Sequence, residues 1–409
     1  DGTIPLALRI SENYKTNYKW LGQYVLANDW DQVVGTVKRS HPNYRKINNF
    51  LMKKLTEAND VYFDTKDERI TTKQAKQKLI GPGGSKSFFT VAAERVKTKY
   101  DRGTFSVAKS ELSILYNLEE FLSYKSSVPK KEVIAEIIQN RKFRVSKTRK
   151  GDFSFLERIN LLKKNQHLKF KDIDEAFLEK FKTFCTVYLN QKTRTVSNQL
   201  IFIRTLFNIA IKDGIVSPKF YPFAGEKERI RIGSGNKIGL TIKEVEKIES
   251  LEFEKGSSIW HTHNAWLIAF YFAGIRISDV VKLRWSDFKD GRLYYVMNKN
   301  EKPLTLKIPD KALSIINFYK EEKDINRGYV FPFLSKANLK DTEDIFIKTR
   351  NATKLLNKYL KRIALQCDIE KNLSNHIARH SFGNIAGDKI HPLMLQKLYR
   401  HSDLKTTLK

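Results

Sequence analysis

Apolar and polar positions change rhythm several times along this 409-residue chain. At the start the period is two. Ile4, Leu6, Leu8 and Ile10 alternate with smaller or polar residues, Ser11-Glu12-Asn13 can turn, and Tyr18 and Trp20 lead a second run to Val25. That pattern predicts a two-stranded hairpin. From about Asn43 to Asn59 the period becomes helical: Pro42 precedes the start, and Ile47, Phe50, Leu51 and Leu55 share a stripe. Between Ser87 and Gly214 the helical rhythm persists. It predicts one helix over Phe105–Tyr124, with Leu112, Leu115, Tyr116, Leu118, Phe121 and Leu122 as its apolar stripe. A second runs over Ile173–Leu189, opened by Asp172 or Asp174, and a third over Thr195–Lys212, closed by Asp213-Gly214. From Leu240 onward the pattern is mostly helical, except for a strand at Arg292–Val296, a turn through Asn298–Lys302 and a strand at Leu304–Ile308.

Two breaks divide these rhythms. Gly81-Pro82-Gly83-Gly84-Ser85 looks like a phosphate loop only superficially, because Gly84-Ser85-Lys86-Ser87 does not have Gly-Lys-Ser/Thr contiguous. It reads as a linker. A second linker spans Pro218 to Gly239, with Pro222, Gly225, Gly233 and Gly235. The expected architecture is mainly α with small β elements (α+β), in three domains over 1–84, 85–232 and 233–409.

Charge narrows the function. Lys and Arg number 75 against 45 Asp and Glu, a net charge of +30. Such a surplus is self-repelling in the free protein and fits a polyanionic partner, nucleic acid ahead of an anionic membrane surface. The longest apolar stretch, Trp266 to Gly274, is about half of a bilayer span. No charged segment followed by an apolar core opens the chain, so no signal peptide is expected. Cys185 and Cys367 cannot build a disulfide framework, which fits a reducing cytoplasm.

The densest basic stretch is 141–171, where eleven Lys and Arg face only Asp152 and Glu157. A charge run is often just a solvated face, but inside so basic a chain this one favours phosphate contact. Arg141, Lys142, Arg144, Lys147, Arg149 and Lys150 are the candidate DNA contacts, joined by Arg194 and Arg204 on the third helix. The early helix adds Arg45, Lys46, Lys53 and Lys54, after Lys38 and Arg39.

Three further clusters carry candidate chemistry. Arg276 follows an apolar helix in Gly274-Ile275-Arg276-Ile277-Ser278-Asp279, a setting that half buries a guanidinium and demands an anion, either Asp279 or a bound phosphate. In Asn375-His376-Ile377-Ala378-Arg379-His380 a helix would project His376 and Arg379 from one face. Arg400-His401-Ser402-Asp403-Leu404-Lys405-Thr406-Thr407 follows. Arginine forks bind non-bridging phosphate oxygens, while His and Lys move protons. Rival chemistries are weaker. His376 and His380 have a zinc-ligand spacing, but the Glu of HExxH is absent and no Cys/His cluster completes a site. A Ser-His-Asp hydrolase would want a GxSxG elbow, and none is present.

Together "AGIRISDVVKLRWSDF" (Ala273–Phe288), "HIARHSF" (His376–Phe382) and "RHSDLKTTLK" (Arg400–Lys409) resemble the three ordered boxes of the tyrosine recombinase (phage integrase) family, especially integrases of mobile elements in Bacteroides-like bacteria. The resemblance implies a small arm-binding sheet domain, a helical SAM-like core-binding domain and a catalytic domain. It implies that Arg276 and Arg379 clamp the scissile phosphate, that His376 is a general acid/base and that His401 hydrogen-bonds the phosphate. It places the family's lysine in a strand-to-strand turn, which Lys299 fits best and Lys302 next. The nucleophilic tyrosine is expected about nine residues after His401, beyond Lys409. Arg400 stands where the family usually has glycine, and roughly Lys125–Lys164 reads as an insertion. The implied partners are double-stranded DNA at core and arm sites and a homo-tetramer on paired sites, with room for accessory DNA-bending or excision factors. No cofactor, metal or membrane is expected, and the bacterial cytoplasm and its nucleoid are the expected location. A noncatalytic DNA-binding protein with the same fold is the alternative.

Overall fold

The computed structural model describes residues 2–12, 14–64, 87–151, 153–224, 230, 238–296, 303–387, 389–401, 403, 404 and 407. The glycines of the first linker, Gly225, Gly233 and Gly235 of the second, and the turn with Lys299 and Lys302 lie outside the described residues, as do the side chains of Arg149 and Lys150. The chain divides into two compact units, Asp1–Gly233 and Ser234–Lys409.

The first unit begins with the hairpin. Strands β1 (Thr3–Glu12) and β2 (Lys15–Leu26) pair antiparallel, with a register shift between Pro5 and Ala7. β1 therefore extends through two of the three residues expected to turn, and Tyr14, at φ +63°, takes the reversal. Two short strands, β3 (Trp30–Asp31) and β4 (Thr36–Val37), lead into helix α1 (Tyr44–Asp64). Asn48 of α1 accepts the Val37 N–H and donates to the Val37 carbonyl, both at 2.8 Å, which ties the helix to the β4 edge. Leu6, Val25, Val37 and Leu51 are the buried residues of this small core. Leu55, expected on the buried stripe, is half exposed, because the small sheet covers only part of the helix.

Among the described residues, six helices follow in this unit: α2 (Phe88–Asp101), α3 (Phe105–Ser123), α4 (Lys130–Lys150), α5 (Phe155–Lys164), α6 (Glu175–Val187) and α7 (Thr193–Lys212). Side-chain caps start three of them. The Ser87 hydroxyl accepts from Thr90 N–H, Ser154 and Glu157 form a reciprocal capping box, and Asp174, not Asp172, accepts from Phe177 N–H. Phe88, Phe89, Leu115, Leu118, Phe181 and Phe207 are fully buried in one core. Each such side chain contributes about 1.5–3 kcal/mol against the entropy of ordering it. Leu122, by contrast, lies at the solvent edge of its stripe. The segment 125–164 is integral: Val133, Ile137, Phe155, Ile159 and Leu162 all enter that core.

The second unit is built round helix α9 (Ser258–Tyr271), preceded by α8 (Ile242–Glu249). Ala265, Trp266, Ile268 and Ala269 are sealed from solvent, so the apolar run beginning at Trp266 is a core helix. A short helix α10 (Ile277–Val280) leads to a three-stranded antiparallel sheet in the order β5 (Phe288–Lys289), β6 (Arg292–Val296), β7 (Pro303–Lys307). The last two strands are the expected pair, with Tyr295 opposite Leu304, and β5 is an added edge. Helices α11 (Asp310–Asn317), α12 (Thr342–Gln366), α13 (Ile377–Ala386) and α14 (Pro392–Tyr399) complete the unit. Its entry is fastened to α13 and to the connection ahead of it: the Leu240 N–H donates to the buried Ser381 hydroxyl at 2.9 Å, and Lys371 donates to the Gly239 carbonyl.

Candidate functional site

Three separate stretches of the second unit meet at one cavity of about 300 Å³, whose lining includes Arg276, Ser278, Asn357, Asn375, His376 and Arg379. Arg276 is the residue before α10, half-buried as its setting requires. The chain reaches it through Ala273 and Gly274, both with left-handed backbone (φ +56° and +69°), which turn it sharply out of α9. A Cβ on Gly274 would stand 2.6 Å from Arg379 Cα, so the glycine also permits contact between the two arginine-bearing segments.

His376 is the residue just before α13 and is exposed, whereas Arg379 one turn later is 7 % exposed. The preceding residue is clamped to α12: Asn375 N–H donates to Asn357 Oδ1 at 2.9 Å, and Asn375 Nδ2 donates to the Thr353 carbonyl at 3.0 Å. The Arg379 guanidinium is held on three sides. Its Nη1 donates to the Gly274 carbonyl at 3.0 Å, its Nη2 donates to the Tyr399 carbonyl at 2.8 Å, and its plane lies 3.9 Å from the Tyr399 ring centroid. Tyr399 returns a hydrogen bond from its hydroxyl to the Arg379 carbonyl. The Arg379 Nη2 also faces His401 Nε2 at 3.5 Å. These contacts occupy at most three of the five N–H donors, so the fork keeps capacity for an oxyanion.

His401 is oriented from its far side by Thr407, whose Oγ1 lies 3.0 Å from Nδ1. Because a guanidinium only donates, this contact suits an imidazole that presents a bare Nε2 to Arg379 and carries its proton on Nδ1, toward Thr407. Burial, then the charge of Arg276, pulls the Arg379 pKa down to about 10. Arg379 stays protonated at neutral pH, and an arriving anion would relieve both penalties. Burial pushes the Tyr295 and Tyr399 hydroxyls up to about 12, so neither is a ready nucleophile, and that of Tyr399 is already committed.

The structure brings together Arg276, His376, Arg379 and His401, while Lys299 lies outside the described residues. Tyr399, Tyr295, Gly274 and Thr407 complete the surroundings. Sequence reasoning missed the two tyrosines, whose roles depend on packing that no local pattern records. Asp279, the anion expected beside Arg276, is 5 % exposed and its charge favours the protonated forms of Arg400 and Lys282. His376 and His380 stand with perpendicular rings 4.9 Å apart, and no group of three metal-ligating side chains occurs among the described residues.

In the first unit the basic stretch is less uniform than its composition. Arg141 and Arg144 both pair with Glu120, a carboxylate 8 % exposed, and Arg144 also covers the Tyr116 ring at 4.4 Å. Together with Arg158, Asn117, Thr195 and Asn198 they line a groove of about 610 Å³. Lys142, Lys147, Arg194 and Arg204 are exposed. No described helix is long and apolar enough to cross a membrane.

The chain matches three domain families in succession: an arm DNA-binding domain over residues 1–77, a phage integrase SAM-like domain over 87–230 and the phage integrase family over 240–409. Similar curated proteins include a tyrosine recombinase of Thermosipho africanus, 26% identical over 34% of this chain and 44% of that protein. Tyrosine recombinase XerC of Xanthomonas axonopodis pv. citri is 23% identical over 40% and 50%. XerD of Oceanobacillus iheyensis is 24% identical over 53% and 70%. The chain spans about half the length of the first two. Among solved structures, a lambda integrase dimer bound to a COC' core site is 14% identical over 94% of both chains (TM-score 0.46). XerH bound to a palindromic difH substrate is 16% identical over 80% and 94% (TM-score 0.48). All three segments are matched in order, and residues 240–409 form a domain of the phage integrase family.

Proposed function

We propose that this protein is a site-specific DNA recombinase that breaks and rejoins strands through a 3′-phosphotyrosyl intermediate, integrating or excising a mobile element. One observation carries the reading: Arg276, His376 and Arg379, from segments a hundred residues apart, line a single cavity, with His401 against Arg379. A phosphodiester seated there would receive two guanidinium forks on its non-bridging oxygens. A tyrosine hydroxyl, expected about nine residues after His401, attacks phosphorus in line. Its O–P bond forms as the bond to the 5′-oxygen breaks, and the tyrosine proton passes toward His376. Lys299 supplies a proton to the departing oxygen, and the arginines stabilise the extra negative charge of the transition state. One ester replaces another, so the chemistry needs no nucleotide cofactor.

The rest of the assignment follows from the same reading. Residues 1–84 would serve as the arm-DNA-binding domain, 85–232 as the core-DNA-binding domain and 233–409 as the catalytic domain. Lys142, Lys147, Arg194 and Arg204, exposed and basic, would contact phosphates together with Arg149 and Lys150, and Arg141 and Arg144, already paired with Glu120, would add less. The partner is duplex DNA, with four protomers on paired sites, in the bacterial cytoplasm at the nucleoid. The test is a nicked suicide duplex bearing a candidate attachment site, incubated with protein whose reading frame continues past Lys409. A covalent protein–DNA adduct is expected. Arg276→Ala or Arg379→Ala should lower its formation roughly 100- to 1,000-fold, with DNA binding largely intact. Near-normal cleavage by either variant overturns the assignment. Tight binding without an adduct for the unaltered protein favours the noncatalytic DNA-binding alternative.

A further inference from the structure

Arg400 sits in a left-handed backbone conformation, φ +54° and ψ +35°, just after α14. That conformation suits glycine and is unfavourable for a side chain with a Cβ. The side chain is nevertheless kept, and it is 6 % exposed, with all three guanidinium nitrogens shielded from solvent. Its plane covers the ring of Tyr295 on β6, 4.2 Å from centroid to Cζ. Asp279, on α10 three residues after Arg276, is buried and supplies the opposing charge, while Arg276 opposes it with the same sign. Arg400 does not line the cavity that holds Arg276, His376 and Arg379. It therefore does not present its fork to a ligand there.

We propose that Arg400 is a positioning residue: a buried guanidinium pin, seated on the face of Tyr295, that fixes the turn carrying His401 against Arg379. The residue type matters. A planar guanidinium lies flat on an aromatic ring, and a compact ammonium does not stack in that way. The pin joins three pieces that sequence keeps far apart: the turn after α14, strand β6 and the helix that follows Arg276. That the cavity takes a phosphate rests on the function proposed above, whereas the pin itself rests on the geometry of Arg400.

The test uses the whole chain and two readouts. Orthovanadate, a small phosphate mimic, is titrated by 51V NMR, and the ring nitrogens of 15N-labelled histidine report the His401 tautomer. The wild type should bind orthovanadate and show one Nδ1-protonated neutral tautomer at His401. Arg400→Gly, which relieves the backbone, should weaken binding about tenfold and mix the two tautomers. Arg400→Lys should weaken it about threefold and retain more of the Nδ1 form. Asp279→Asn combined with Arg400→Gly should add little beyond Arg400→Gly alone, because the two act as a pair. Circular dichroism identifies folded variants. If Arg400→Gly does not fold, the threefold effect of Arg400→Lys decides. Folded variants with wild-type affinity and an unchanged tautomer signature overturn the proposal, since a residue that merely holds the fold would lower thermal stability and leave both readouts alone. Failure of the wild type to bind orthovanadate counts against the phosphate reading of the cavity, and the His401 signature then decides the role of Arg400 by itself.

Discussion

Gly274 has two separate reasons to lack a side chain. Its φ of +69° is left-handed, and any Cβ would press on the backbone of Arg379. Gly274→Ala should therefore lower stability by about 2–4 kcal/mol, read from urea denaturation, the sum of backbone strain and a clash that no flexible atom can relieve. The glycine was legible as part of the "AGIR" stretch. Its reason was not, because the atom it makes room for lies 105 positions on, and spacing along a chain does not report approach in space. Arg400 shows the same limit in reverse. It stands out in sequence as an odd residue, but its burial against Tyr295 and its charge relation to Asp279 become visible only in three dimensions. Cys185 gives a pH test at this scale. Burial pushes its thiol up to about 12, so at pH 8 only about one molecule in ten thousand carries the thiolate, and alkylation of the native protein at this position should be negligible. The sign for stability follows. An unfolded thiol ionises near 8.5, so between there and about 12 the folded state holds the extra proton, and the contribution of Cys185 to stability falls as pH rises through that window.

Among the helices, α3 and α4 make the contrast between a charge and an available charge. Glu120 on α3 accepts from Arg141 at 2.6 Å and also pairs with Arg144, one turn on in α4. Glu120→Gln should destabilise the first unit by about 1–3 kcal/mol, since two partly buried guanidinium groups lose their countercharge while Arg141 retains access to water. Exposed Lys142 and Lys147 behave differently. Their alanine variants should leave the denaturation midpoint within about 0.5 kcal/mol of wild type and each flatten the salt dependence of DNA binding by about one unit of slope. Equal effects for the arginines and the lysines would contradict this division. Helical period located α3 and α7 to within two residues of their observed ends, because an apolar stripe is a property of the segment itself. It could not locate Glu120 as a partner, since a pairing between helices depends on how they pack. It also could not distinguish buried Leu118 from exposed Leu122, which differ only in what lies opposite them.

For the whole molecule the dominating quantity is the charge of +30. If about ten phosphates are neutralised, the logarithm of the DNA association constant should fall with a slope of roughly −9 against the logarithm of salt concentration. A slope near zero would mean that the surplus charge does not meet the backbone of the nucleic acid. That surplus, the three rhythms of the pattern and the ordered boxes were all readable without coordinates, because composition and order belong to the sequence. The convergence of the boxes was not, being a matter of how α9, α12, α13 and α14 stack. The way the second unit begins has a mechanical meaning. Its first described residues are stitched to α13 through the Ser381 hydroxyl and to the connection ahead of α13 through Lys371, and Gly239 has no room for a methyl group beside the His380 carbonyl. Tension arriving along the polypeptide ahead of Leu240 is thus borne first by the very helix that presents Arg379, so trimming the chain past Ile238 would slacken the anchorage of a guanidinium 140 residues downstream.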